Sequence, residues 1–125
     1  MLSENQMVKA RKAIESLYDG ECSVITHTKV VRANKSTGFE DRVVLEKQSC
    51  RISFSSISEN STNEDFSSSV HQIIKLFIAP EVSIPPGSKI SVTQHGVTTD
   101  YKSSGQPAYY STHQEIILEL FKGWS

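Results

Sequence analysis

The residues with most chemistry to offer are four histidines, His27, His71, His95 and His113, and two cysteines, Cys22 and Cys50. None of the histidines falls in an HxH or HExxH setting, and neither cysteine belongs to a CxxC. A metal site needs a second ligand at a defined spacing, so the sequence predicts no metal and no cofactor. With only two thiols, a disulfide framework is not on offer, and the thiols point to a reducing cytoplasm. Two acidic pairs occur, Glu40-Asp41 and Glu64-Asp65. Acid/base catalysis needs carboxylates that face each other, whereas neighbours on a strand point to opposite faces. No serine lies in GxSxG or SxxK, and there is no GxGxxG or GxxxxGK[ST]. Tyr109-Tyr110 could stack on a base, but no basic run is interleaved with the aromatics, so ordinary packing is the favoured reading. The sequence therefore carries no catalytic constellation, and the expectation is that the chain is not an enzyme.

Composition narrows the classes further. The chain has 125 residues, 37% hydrophobic and 22% charged, with 13 basic and 14 acidic residues and a net charge of −1. That is one domain, 1–125, with room for a single core. The charge balance argues against a dedicated nucleic-acid surface or an anionic-membrane binder. No apolar run approaches the roughly 18 residues that would span a bilayer. MLSENQMVKARKAIESLYDG is charged throughout, which is unlike a signal peptide.

Ser3 to Tyr18 reads as a helix. Ser3 and Gln6 form a capping box, and Met7, Ala10, Ile14, Leu17 and Tyr18 share one face. Gly20 stands where a left-handed residue would close it. This apolar face either covers a sheet or docks on a partner subunit; a lone amphipathic helix usually packs at home.

The remainder reads as strands. Alternation marks Glu21–Val31, Phe39–Glu46, Ser49–Phe54, Val70–Ile78, Ser88–Gln94 and Val97–Ser103. Lys47-Gln48 is expected to turn the chain between the second and third. Pro86-Gly87 and His95-Gly96 are turn signals, and Ser104-Gly105-Gln106-Pro107 reads as a further break. His113–Phe121 fits both a strand and a helix face, with strand favoured because the run is short. The Trp124 tail is expected to pack or lie at the surface. The predicted fold is mainly β: a small antiparallel β-barrel or sandwich of about seven strands, with one N-terminal α-helix and a long polar loop.

That loop organises the chain. Ser55, Ser56, Ile57, Ser58, Glu59, Asn60, Ser61, Thr62, Asn63, Glu64, Asp65, Phe66, Ser67, Ser68 and Ser69 contain only two large hydrophobes. Such a stretch cannot bury enough apolar surface to fix its own shape. Structureless loops beyond roughly 12–15 residues are uncommon in compact domains and tend to be functional or disordered.

The run SCRISFSSI after a VVLE strand, then a polar stretch, then QIIKLFIAPEVSIPPGSKISVTQHGVTTDYKSSGQPAYYSTHQEIILELFKGW, resembles the small minor capsid proteins of tailed phages and prophages. These belong with the head-completion, or stopper, proteins of the head-to-tail connector. The similarity extends to the N-terminal KAIESLYDGECSV. The resemblance implies a virion protein at the head–tail junction, assembled in the host cytoplasm. It implies a monomer that joins a homo-oligomeric, dodecameric ring, with portal and adaptor proteins above and a tail-completion or tail-tube protein below. In such rings a long loop from each subunit converges on the channel axis and retains the packaged double-stranded DNA. On this chain that plug would be 55–69, with Glu59, Glu64 and Asp65 presenting negative charge to the DNA. An adaptor or tail-completion role, or a stand-alone β-barrel binding module, are the alternatives.

Overall fold

The computed structural model describes residues 3–58 and 70–124. One helix precedes six strands: α1 (Glu4–Glu15), β1 (Gly20–Val31), β2 (Thr37–Ser58), β3 (Val70–Ile78), β4 (Lys89–Gln94), β5 (Val97–Tyr109) and β6 (Gln114–Leu120). The strands close into an antiparallel barrel in the order β1-β2-β3-β6-β5-β4.

Strand alternation built the interior. Cys22, Val24, Cys50, Ile52, Ile74, Leu76, Ile78, Ile90, Val92, Tyr101, Ile116 and Leu118 all point inward and form one core. Their outward neighbours are polar or half-buried, apart from the exposed Ile117, because successive side chains on a strand take opposite faces. Each buried Ile, Leu or Val contributes about 1.5–3 kcal/mol, so this cluster is the main source of stability. Residues 79–88 cap one end of the barrel. There Ile84 joins the core, and the buried Gln114 amide donates to the carbonyls of Ala79 (2.9 Å) and Val82 (2.5 Å).

Several expectations are met. Ser3 caps α1 in a full capping box with Gln6. His95 (φ 53°) and Gly96 (φ 76°) make the two-residue β4–β5 hairpin, both left-handed as a type I′ turn requires. Gly87 (φ 79°) follows Pro86 in the turn, where the Ser88 amide donates to the Pro85 carbonyl (3.1 Å). Within His113–Phe121 the chain is a strand, β6, over Gln114–Leu120.

Four expectations are corrected. The second and third predicted strands are one 22-residue strand, β2, in a closed barrel of six strands, close to the expected number. Lys47 (φ 51°) does not turn the chain. It sits in a bulge: Cys22 faces Gln48 and Val24 faces Leu45, two steps on β1 against three on β2. Gly105 (φ 75°) likewise bulges β5 rather than ending it; Ser104 faces Ile117, pairing resumes at Ala108 with Glu115, and the strand continues to Tyr109. In the expected loop, Ser55, Ser56, Ile57 and Ser58 belong to β2 and pair with β3; 59–69 lies outside the described residues.

The fourth correction concerns Gly20, which does not close α1. It opens β1, at the seam where the barrel closes. A Cβ there would lie 3.2 Å from the Thr93 carbonyl oxygen, 3.2 Å from Gln94 Oε1 and 3.3 Å from the Cys50 carbonyl oxygen. The glycine is needed for close approach rather than for backbone freedom. Just past it β2 loses β1 as a neighbour, since Gly20 pairs with Cys50 and β1 begins there. Gln94 fills the gap: Ile52 N–H donates to Gln94 Oε1 (2.8 Å), and Gln94 Nε2 donates to the Ile52 carbonyl (3.3 Å).

Replacing Gln94 with alanine leaves both main-chain groups of Ile52 without that partner. The expected cost is about 1–3 kcal/mol, read as a lower urea midpoint at unchanged slope. Gln94→Glu keeps the acceptor and loses the donor, and should fall between the two. An alanine variant with the wild-type midpoint would show that the seam does not depend on this amide.

Candidate functional site

Strand lengths do not match around the barrel, and the excess projects from it. β4 pairs with β1 only over Gly20–Ile25, so Thr26–Val31 is held by β2 alone. β6 pairs with β3 only over Ile74–Ile78, so 70–73 pairs only with Ser55–Ser58. Two-stranded arms therefore leave opposite ends of the barrel: a β1–β2 ribbon at one, and a β2–β3 arm at the other. The β2–β3 arm carries the polar stretch 59–69. The candidate plug residues Glu59, Asn60, Ser61, Thr62, Asn63, Glu64, Asp65, Phe66, Ser67, Ser68 and Ser69 lie outside the described residues.

The helix stands apart from the core. No residue of α1 is buried, and Val8 and the following Leu17 are 52% and 54% exposed. Arg11 ties it to the barrel through an ion pair with Glu81, and also pairs with Glu15 (3.4 Å). The hydrogen bond to Glu81 raises the Arg11 pKa, and that same bond lowers the pKa of the Glu81 carboxyl. Between α1 and the barrel lies a cleft of about 390 Å³, lined by Ile14, Leu17 and Tyr18 on one side and Arg51, Ser53, Phe77, His113 and Glu115 on the other. The Tyr18 hydroxyl is enclosed without a hydrogen-bond partner, and burial, followed by the nearby Glu15 charge, pushes its pKa up to about 12.

The structure unites residues that the sequence left separate. Three of the histidines, His27, His95 and His113, lie within hydrogen-bond reach of a carboxylate. His27 Nδ1 is 2.7 Å from Asp41 Oδ1, His95 Nε2 is 3.0 Å from Asp19 Oδ2, and His113 Nε2 is 2.9 Å from Glu115 Oε2. The last pair extends into a cluster: Lys75 Nζ lies 3.4 Å from Glu115 Oε1, Thr112 Oγ1 lies 3.0 Å from His113 Nδ1, and Tyr110 stacks on the imidazole at 4.9 Å. The hydrogen bond with His113, then the one with Lys75, holds the Glu115 carboxyl below the usual range. His113, just before β6, and Glu115, within it, are two residues apart, a spacing present in the sequence. His27 and Asp41 meet only through the β1–β2 register, as do Asp19 and His95 through the β1–β4 seam. The adjacent Glu40 and Asp41 do point apart: Glu40 lies 3.4 Å from Arg42, while Asp41 takes His27.

The cysteines are buried, free thiols beside each other in the core. A hydrogen bond with Cys22, reinforced by burial, raises the Cys50 pKa, which disfavours the thiolate a nucleophile needs. Among the described residues no three potential ligands gather as a metal centre, and no helix is long and apolar enough to cross a membrane.

No protein-family model and no curated protein matches the chain. Among solved structures, it is similar to the phage-like element PBSX protein xkdH from Bacillus subtilis, at 9% identity and a TM-score of 0.47, over 80% of this chain and 91% of that one. A likeness at that level carries no functional argument.

The lowered Glu115 pKa has a consequence for stability. A carboxyl held below its unfolded value contributes stability above that value and loses it as pH falls through the folded one. Wild type and Glu115→Gln should therefore differ most near neutral pH and converge under acid, in urea midpoints measured from pH 7 down to 3. A gap that persisted unchanged to pH 3 would remove the role of the ionised carboxylate.

Proposed function

We propose that this chain is a structural ring component of a phage head-to-tail connector, in the head-closure (stopper) position, whose 59–69 stretch plugs the DNA exit after packaging. The observation that supports the reading is the β2–β3 arm. Ser55–Ser58 and 70–73 run past the closed barrel as a two-stranded stalk, so the polar stretch leaves the body at an arm's tip rather than from its surface. A segment too polar to fold alone, carried on such a stalk, suits a part that orders only where many copies meet. The unburied helix fits the same reading, since α1 keeps an apolar face for a neighbouring subunit, portal or adaptor. Glu59, Glu64 and Asp65 would discourage adhesion of DNA phosphates in the channel by like-charge repulsion.

In this reading the protein is not a catalyst, works in the virion at the head–tail junction, and is a monomer until it meets its ring partners. An adaptor or tail-completion position in the same connector would use the same barrel without the plug.

Deletion of Asn60–Asp65 tests the plug. Shortening a long loop changes chain-closure entropy little, so the isolated protein should keep its thermal midpoint. Heads assembled with it should package DNA and then lose it, measured as nuclease-accessible genome after packaging. Retained genomes would reject the plug while leaving ring membership open. Charge reversal of Glu59, Glu64 and Asp65 to lysine should slow DNA ejection; an unchanged rate removes the electrostatic part. A tight small ligand found for the isolated protein would instead favour a stand-alone binding module.

A further inference from the structure

We infer that copies of this chain join edge to edge through the β1–β2 ribbon, the β1 edge of one copy adding to the β2 edge of the next. The inference rests on the ring reading above and names the contact by which one copy meets another. Beyond Ile25 β1 has left β4, and before Cys50 β2 has not yet met β3. Over Thr26–Val31 and Thr37–Arg42, among the described residues, the two strands pair only with each other. The ribbon thus has two free edges, one on each strand. Each presents a row of main-chain donors and acceptors that only water or another strand can satisfy.

The ribbon is held in shape, although a two-stranded hairpin is marginal in water by itself. The Thr26 and Thr28 hydroxyls donate across it to the carbonyls of Arg42 (3.4 Å) and Glu40 (3.2 Å), and His27 Nδ1 lies 2.7 Å from Asp41 Oδ1. The His27 ring stacks between Phe39 at 4.5 Å and Trp124, from the C-terminal tail, at 4.7 Å. Exposed edges are commonly blunted by a bulge or a proline. Neither is present in the ribbon: its register runs unbroken from Ile25–Val43 to Val31–Thr37, and 26–43 contains no proline. Val31 and Phe39 are 70% and 61% exposed on it.

A second copy fits both edges at once. Ribbons set side by side in one orientation place β2 of one antiparallel to β1 of the next, so the sheet continues as the meander it already is. This contact is heterologous: it repeats from copy to copy and closes into a ring when its rotation closes. Charge agrees with it. Within Thr26–Val31 the one lysine, arginine or acidic residue is Lys29, and it shares a strand face with Phe39 and Asp41 of β2. A β1-to-β1 contact would set two Lys29 side chains on one short seam. The β1-to-β2 contact brings Lys29 towards Asp41 of the next copy, an opposite-charge pair across strands.

Single thiols on the two edges test the pairing. Val31→Cys marks the β1 edge and Thr37→Cys the β2 edge, both at exposed positions, while the native Cys22 and Cys50 are buried. The two variants, one carrying a mass tag, are mixed and treated with a short bismaleimide, in purified heads and as concentrated isolated protein. Mixed dimers should predominate over like-with-like dimers. Lys29→Glu, added to the Val31→Cys chain, should lower the mixed yield roughly two- to fivefold, the scale of one cross-strand charge pair. Like-with-like dimers at the mixed yield, or a yield indifferent to Lys29→Glu, would overturn the inference. Heads that contain the protein but give no mixed dimer would overturn it and leave the ring reading standing. Heads that never take up the protein would reject the ring reading, and the concentrated protein then decides the edge pairing by itself.

Discussion

The barrel depends on how β2 is shared between two neighbours. Its first part pairs with β1 and its second with β3, and the changeover falls at Cys50. At such a changeover a strand edge is left with main-chain groups facing nothing. Closure requires β4 to come within reach of β2 across the start of β1, which is possible because Gly20 has no side chain to hold them apart. The Gln94 amide then serves as a single artificial rung, giving Ile52 the donor and acceptor that a continued β1 would have supplied. A buried main-chain group without a partner costs more than a methylene contributes, so the choice of residue at 20 and 94 outweighs fine packing nearby.

From that sharing follows the outline of the molecule. A strand long enough to serve two neighbours overshoots both, so an arm emerges at each end of the closed wall. Bulges at Lys47 and Gly105 let long strands bend with the barrel instead of leaving it. The ends are treated differently. One is capped by 79–88 and pinned by Gln114, and the ribbon there is strapped by the C-terminal tail. The other releases the arm towards 59–69. A helix tied by Arg11 but burying none of its own residues lies outside this frame.

Local chemistry was readable to a large extent. The Ser3–Gln6 capping box, the left-handed His95-Gly96 pair, the Pro86-Gly87 turn and the inward runs Cys22-Val24, Ile90-Val92 and Ile116-Leu118 depend on neighbours in the chain, and each is found where the residue pattern indicates. Periodicity overreached where the strand outran the wall. Phe54 and Leu120 continue inward alternations yet are both 54% exposed, because they lie at the barrel's open end. Gly20 illustrates the same limit: a glycine after a helix reads as a cap, and only the approach of Thr93, Gln94 and Cys50 reveals its use.

The amino-acid sequence by itself determined what each segment could be: one capped helix, strands of alternating polarity, tight turns at glycine and proline, and one stretch too polar to bury. Only the tertiary structure decided who meets whom. It joined two predicted strands into one, fixed six strands in a closed order, and brought His27 to Phe39, Asp41 and Trp124, and Gln94 to a backbone 42 residues away. The physical reason is that propensity and period act over a few residues. Register and closure are set by contacts between distant ones, which no single segment encodes.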